Sequence, residues 1–224
     1  MSSIRIFKLF GIETRIHAIS IALIISYAVV FISSENISKY FMFVGGIAIY
    51  IMAHEYGHAL MAQWLGIKTE KIILTPIGGV ALFDKEIKDI SPIKELTITV
   101  AGPVISAILI ILGYAVHSFY PSIYSSHVIR YNCAIFIFNL IPAFPMDGGR
   151  ILRSALAIAL KNKLKATIIA CIVSKFFLFI LGILAIISLN WFLLLIVFIL
   201  LVSANAELQT QQKIEEKKTE QLTA

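Results

Sequence analysis

Long apolar runs leave this chain few ways to fold. Windows of about 18 or more apolar residues fall at roughly 16–32, 41–65, 94–116, 127–144, 166–188 and 190–206. Backbone placed in hydrocarbon must satisfy its own hydrogen bonds, so runs of this length are read as spanning helices. Composition agrees: 59% of the 224 residues are hydrophobic and 14% are charged, against about 25% charged in soluble domains. The expected fold is an all-α polytopic membrane protein with six transmembrane helices. The last two runs are parted only by Ser188-Leu189-Asn190, which implies a tight hairpin.

Charge orients the helices. Arg5, Lys8 and Arg15 precede the first run, and Lys68, Lys71, Lys85, Lys88 and Lys94 fill the second-to-third connection. Arg150, Arg153, Lys161, Lys163 and Lys165 follow the fourth, while Lys213, Lys217 and Lys218 lie in the tail. The alternate loops are poor in Lys and Arg, so the positive-inside rule puts both termini in the cytoplasm of a multi-pass cell-membrane protein. A net charge of +6 gathered in those loops reads as bilayer orientation and excludes a nucleic-acid-binding face. The basic N-terminus mimics a signal peptide, but no small-x-small cleavage site follows Phe31, so the first run is kept as a helix. Cys133 and Cys171 lack metal-ligand spacing and read as packing residues.

The connection from Gly66 to Pro92 is richer than a linker. Lys71–Thr75 and Val80–Phe83 flank Pro76-Ile77-Gly78-Gly79, predicting two short β-strand segments about a turn near the cytoplasmic face. Gly11–Arg15 suggests a further strand; a plain connecting hairpin is the alternative. Residues 1–206 are expected to form a six-helix core, with motif-bearing helices at about 41–147. Residues 207–224 form a charged cytoplasmic tail or linker, which implies a chain continuing beyond Ala224.

The chemistry sits in the second run. His54-Glu55-Tyr56-Gly57-His58 is an H-E-x-x-H motif, whose histidines at i and i+4 share one helix face and can reach one metal ion. Glu55 falls at a neighbouring angle, suited to deprotonating water. Tyr40–Ile51 and Ala59–Leu65 carry no Asp, Glu, Lys or Arg, and ionisable groups in such a setting are costly unless they have a function. One catalytic Zn2+ per chain is expected, and a catalytic zinc takes three protein ligands. The H-x-x-G-x-x-H continuation is absent, and Glu70, Asp84, Glu86 and Asp89 lie in the charged connection.

Asp147 is the preferred third ligand. At about 1.5 Å per residue, His58 lies roughly 9 Å and His54 roughly 15 Å from the interfacial Trp64. The fourth helix runs the same way, which brings Asp147 into that leaflet, beyond Pro142 and Pro145. An Asp-Gly pair after a helix also suits a turn or an N-cap, and this alternative stays open. His17, His117 and His127 lie at other depths and read as interfacial residues.

Three segments together carry a resemblance: His54–His58, Ala101-Gly102-Pro103-Val104-Ile105-Ser106, and Asn139 through Gly149. The chain resembles the site-2 proteases, intramembrane zinc metalloproteases that cut membrane-spanning substrates, over about residues 50–150. The resemblance implies that His54, His58 and Asp147 bind zinc, that Glu55 is the general base, and that Asn139 lines the site and stabilises the oxyanion. It also implies a single-pass transmembrane protein as substrate, the lipid bilayer as surroundings, and a C-terminal regulatory domain absent from this chain. Ser106 departs from the Asn that many relatives carry there. Gly102 and Ser106, at small-x-x-x-small spacing, independently permit close helix packing. The strand-like 71–83 segment is a candidate for pairing with an unwound substrate. The alternatives are a membrane zinc transporter, which gives Glu55 no distinct duty, or a membrane zinc protease of another family acting on non-transmembrane chains.

Overall fold

The computed structural model describes residues 3–31, 37–75, 78–83 and 90–223. Its elements run β1 (Ser3–Leu9), β2 (Ile12–His17), α1 (Ala18–Phe31), α2 (Ile37–Trp64), β3 (Thr69–Thr75), β4 (Gly78–Phe83), α3 (Pro92–Phe119), α4 (Ile123–Leu140), α5 (Asp147–Leu160), α6 (Lys163–Ile187) and α7 (Trp191–Thr223). Two compact units divide them: residues 1–90 with 100–136, and 91–99 with 137–224.

In the first unit the four strands form one sheet in the order β1-β2-β3-β4. β1 and β2 are antiparallel, with Leu9 opposite Ile12. The two-residue turn between them holds Phe10 and Gly11 at φ 51° and 80°. Positive φ at both positions matches the right-handed strand twist, although it is an unusual conformation for phenylalanine. β2 lies parallel to β3, Thr14 opposite Ile72, and β3 is antiparallel to β4. The strands foreseen at 71–75 and 80–83 are present, and the one foreseen at 11–15 is β2, which begins one residue later at Ile12; β1 is additional. Gly78 and Gly79, expected in a turn, belong to β4, with Gly79 opposite Leu74. The Pro76-Ile77 part of that turn lies outside the described residues.

The sheet packs on α2 through a cluster of Ile12, Tyr56, Ala59 and Ile72. The Tyr56 hydroxyl lies 2.7 Å from Thr14 Oγ1, so a buried polar pair is satisfied between helix and sheet. α2 ends in a Schellman motif: Ile67 N–H donates to the Ala62 carbonyl at 2.8 Å and Gly66 N–H to that of Gln63 at 3.0 Å. Gly66 takes the left-handed φ of 80° that this closure requires. Against its other face α2 meets α3. A methyl group at Gly57 would lie 2.9 Å from the Ala101 carbonyl oxygen, so the two backbones touch. Tyr50 Oη adds a 2.9 Å hydrogen bond to the Leu109 carbonyl.

The second unit has two apolar clusters, one of Ala143, Met146, Leu178, Val197 and Leu200, the other of Phe144, Ala170, Cys171 and Ala204. Cys171 is a packing residue there, as expected. The fourth helix stops at Leu140, short of the expected 144, because Pro142 and Pro145 cannot continue it. Phe144 N–H donates to Ser174 Oγ of α6 at 3.2 Å, which pins the loop between α4 and α5. Arg153 of α5 pairs with both Glu95 and Glu207, and Lys163 Nζ stands 3.6 Å from Glu95. Its guanidinium lies 5.3 Å from the Phe144 ring centroid. Burial opposes the Arg153 charge, but Glu95 and Glu207 outweigh it and raise its pKa above the ordinary value.

Among the described residues, α3, α6 and the first part of α7 (Trp191–Glu216) are long and apolar enough to cross a membrane.

Candidate metal centre

His54 and His58 are both buried on α2, a polar pair inside an otherwise apolar helix surface. Their Nε2 atoms lie 3.0 Å apart, with the rings edge to face. Two nitrogens at about 2.0–2.1 Å from a tetrahedral ion stand about 3.3 Å apart. The pair therefore fits a zinc-sized ion to within a few tenths of an ångström, and imidazole nitrogen suits zinc chemically.

α3 forms the floor beneath the two rings. A Cβ at Gly102 would meet His58 Nε2 at 2.2 Å, so the missing side chain is what admits the imidazole. One turn later, the buried Ser106 Oγ lies 2.9 Å from His54 Nδ1. The small-x-x-x-small pair thus does more than allow close packing: its two positions face the two histidines.

Glu55 is half-buried and turns to the sheet side of α2. A Cβ at Gly79 of β4 would fall 2.2 Å from Glu55 Cγ and 2.7 Å from its Oε1. Tyr56, next in the motif, carries the sheet contact. The five motif residues therefore divide their faces: histidines and Gly57 toward α3, Glu55 and Tyr56 toward the sheet.

Asp147 opens α5 in the second unit and is 9% exposed. The N-cap of that helix is Met146, which makes no side-chain cap bond, so the N-cap alternative for Asp147 is not realised. Its carboxylate sits in the first helical turn, where the helix dipole favours negative charge. Space explains the two glycines that follow. A Cβ at Gly148 would lie 2.3 Å from the carbonyl oxygens of Leu140 and Ile141, and one at Gly149 would lie 2.8 Å from Phe144 N. The loop passes directly over the helix start. Asn139 is half-buried in the last turn of α4, also in the second unit.

The remaining candidates have other places. Glu70 is exposed on β3, and Asp84, Glu86 and Asp89 lie outside the described residues. His117 Nδ1 is 2.6 Å from Ser125 Oγ, and His127 stacks on Tyr131. Sequence reasoning did not anticipate Ser106 and Gly79 as partners of the motif. The fourfold spacing of Gly102 and Ser106 was a visible signal for the first; nothing local marked the second.

Comparison with known proteins defines the class. Peptidase family M50 matches residues 42–130 and 121–184, and the chain belongs to that family. With three apolar helices of membrane length among the described residues, it is a membrane protein. It is 37% identical over 201 residues to a zinc metalloprotease of Methanocaldococcus jannaschii, covering 87% of this chain and 57% of the relative. Stage IV sporulation protein FB of Bacillus subtilis is 29% identical over 107 residues, 46% of this chain and 36% of that protein. The chain thus spans little more than half of one relative and about a third of the other. A solved structure of a site-2 protease from Methanocaldococcus jannaschii superposes with a TM-score of 0.64 at 35% identity, covering 92% of this chain and 95% of that one.

Proposed function

We propose that the chain is the catalytic core of an intramembrane zinc endopeptidase that hydrolyses peptide bonds of single-pass membrane-spanning proteins. The observation that carries this reading is the pair of buried imidazoles with Nε2 atoms 3.0 Å apart, flanking Glu55 on one apolar helix.

His54 and His58 hold the zinc as neutral ligands, and Asp147 adds one carboxylate oxygen as the third protein ligand. In favour of Asp147 stand its burial, its place within the first turn of α5 instead of at the cap, and the crowded loop that fixes it. Zinc bound there supplies Lewis acidity, polarising a peptide carbonyl and making water acidic near neutral pH. Glu55 accepts the proton of the attacking water and delivers it to the departing amine nitrogen. The Asn139 amide donates to the developing oxyanion.

A substrate helix hides its peptide bonds in its own hydrogen bonds, so it unwinds before cleavage. β4 is an edge strand of the described sheet and carries Gly79 against Glu55, which suits it to receive an unwound segment by strand addition. α1, α2, α3, α4, α6 and α7 are the six spans of this reading, with residues 1–206 as the membrane core. Both termini are cytoplasmic, and 207–224 is a charged cytoplasmic tail or linker, through which α7 continues as far as Thr223.

Purified Glu55→Gln tests the proposal. Zinc content is expected to stay at the wild-type level while cleavage of a membrane-helix substrate falls about 10²–10⁴-fold, the usual contribution of a general base. Undiminished cleavage would refute it.

A further inference from the structure

We infer that Ser106 is a positioning residue for the metal: its hydroxyl oxygen accepts the Nδ1–H of His54 and so holds the tautomer whose Nε2 presents a lone pair to zinc. This rests on the zinc reading above and adds a residue to it.

The geometry is specific. Ser106 Oγ stands 2.9 Å from His54 Nδ1, and Ser106 itself is 7% exposed. The opposite ring nitrogen, Nε2, is turned toward His58 Nε2 at 3.0 Å. A neutral imidazole carries one proton, on one nitrogen or the other. With that proton on Nε2, His54 would donate to His58, and the two rings would bond to each other with no lone pair from His54 for an ion. With the proton on Nδ1, the His54 Nε2 lone pair faces inward and is free to ligate. Nδ1–H then needs an acceptor inside an apolar helix interface, and Ser106 provides it.

The helices are matched for this. His54 and His58 are four residues apart on α2; Ser106 and Gly102 are four apart on α3, in the opposite chain direction. Ser106 therefore meets His54 while Gly102 meets His58, where a Cβ would come within 2.2 Å of Nε2. One α3 position gives room and the other a hydrogen bond. The packing rule for small residues explains the room but requires no hydroxyl.

The test compares purified wild-type protein, Ser106→Ala and Ser106→Thr. Zinc affinity is read by competition with a chelator, and the visible absorption of the Co2+-substituted site reports its symmetry. Ser106→Ala is expected to weaken zinc binding about 10–100-fold and to alter the Co2+ bands, while Ser106→Thr, which keeps the hydroxyl, returns affinity to within about threefold of wild type. In zinc-free protein, ¹⁵N spectra of His54 should show Nδ1 protonated in a larger share of wild-type molecules than of Ser106→Ala. Unchanged affinity in Ser106→Ala overturns the inference. Equal weakening by Ala and Thr overturns it as well, because packing alone would then account for the loss. A wild-type protein that binds no zinc would instead defeat the metalloprotease reading.

Discussion

At Gly102 a methyl group would sit 2.2 Å from His58 Nε2, and at Gly79 one would sit 2.2 Å from Glu55 Cγ. The two clashes look alike but strike groups with different duties. Gly102→Ala must displace the His58 imidazole from its place beside His54. Zinc affinity is expected to fall about 10–100-fold, as when a group that orients a metal ligand is lost, and chelator competition measures it. Gly79→Ala pushes instead on Glu55, the proposed general base. Zinc content should be preserved while kcat for a membrane-helix substrate falls about 10²-fold, the cost of an ångström-scale misplacement. A Gly79→Ala protein that loses zinc, or keeps full activity, would show that β4 does not bear on Glu55 in this way. Neither glycine announces its partner locally, since each contact joins residues far apart in sequence.

Among elements, α2 carries most of the organisation, with its imidazoles toward α3 and Tyr56 toward the sheet. Both faces are written in the motif's spacing, because residues four apart share a helix face wherever the helix is placed. The sheet was only partly legible. β3 and β4 show as short apolar runs, but β1 reads as the basic lead-in to a membrane segment, with Ile4, Ile6, Leu9 and Phe10 all exposed. Its strand character depends on β2, which itself pairs with β3 more than fifty residues onward. Within the second unit, Arg153 joins α5 to the start of α3 and to α7 through Glu95 and Glu207. Its side chain is 5% exposed and that of Glu95 12%, so Arg153→Met leaves Glu95 with only the 3.6 Å Lys163 contact. A loss of about 3–5 kcal/mol is expected, the range for breaking a buried ion pair from one side, as a shift of the unfolding midpoint in detergent. A shift equal to that of an exposed Lys165→Met control would contradict it.

For the whole molecule, the expected topology makes a direct prediction. Ser3→Cys and Thr219→Cys, each in a background without Cys133 and Cys171, should react with a membrane-impermeant maleimide only after cells are permeabilised; labelling of either in intact cells would reverse the orientation. The apolar runs, the loop charges and the H-E-x-x-H spacing are local properties, so the sequence by itself determined that this is a helical membrane protein, roughly where its helices lie, and that a histidine pair faces one way. Periodicity and burial in hydrocarbon impose those features without reference to distant residues. What only the tertiary structure decided are the contacts between elements: Ser106 on His54, Gly79 against Glu55, β1 on the sheet, and Arg153 among carboxylates from α3 and α7. It also removed the capping role that Asp147's local sequence allowed, because the cap fell to Met146 once the loop was folded over Gly148 and Gly149. Such contacts depend on which backbones approach within a few ångströms, and no local run of residues encodes that.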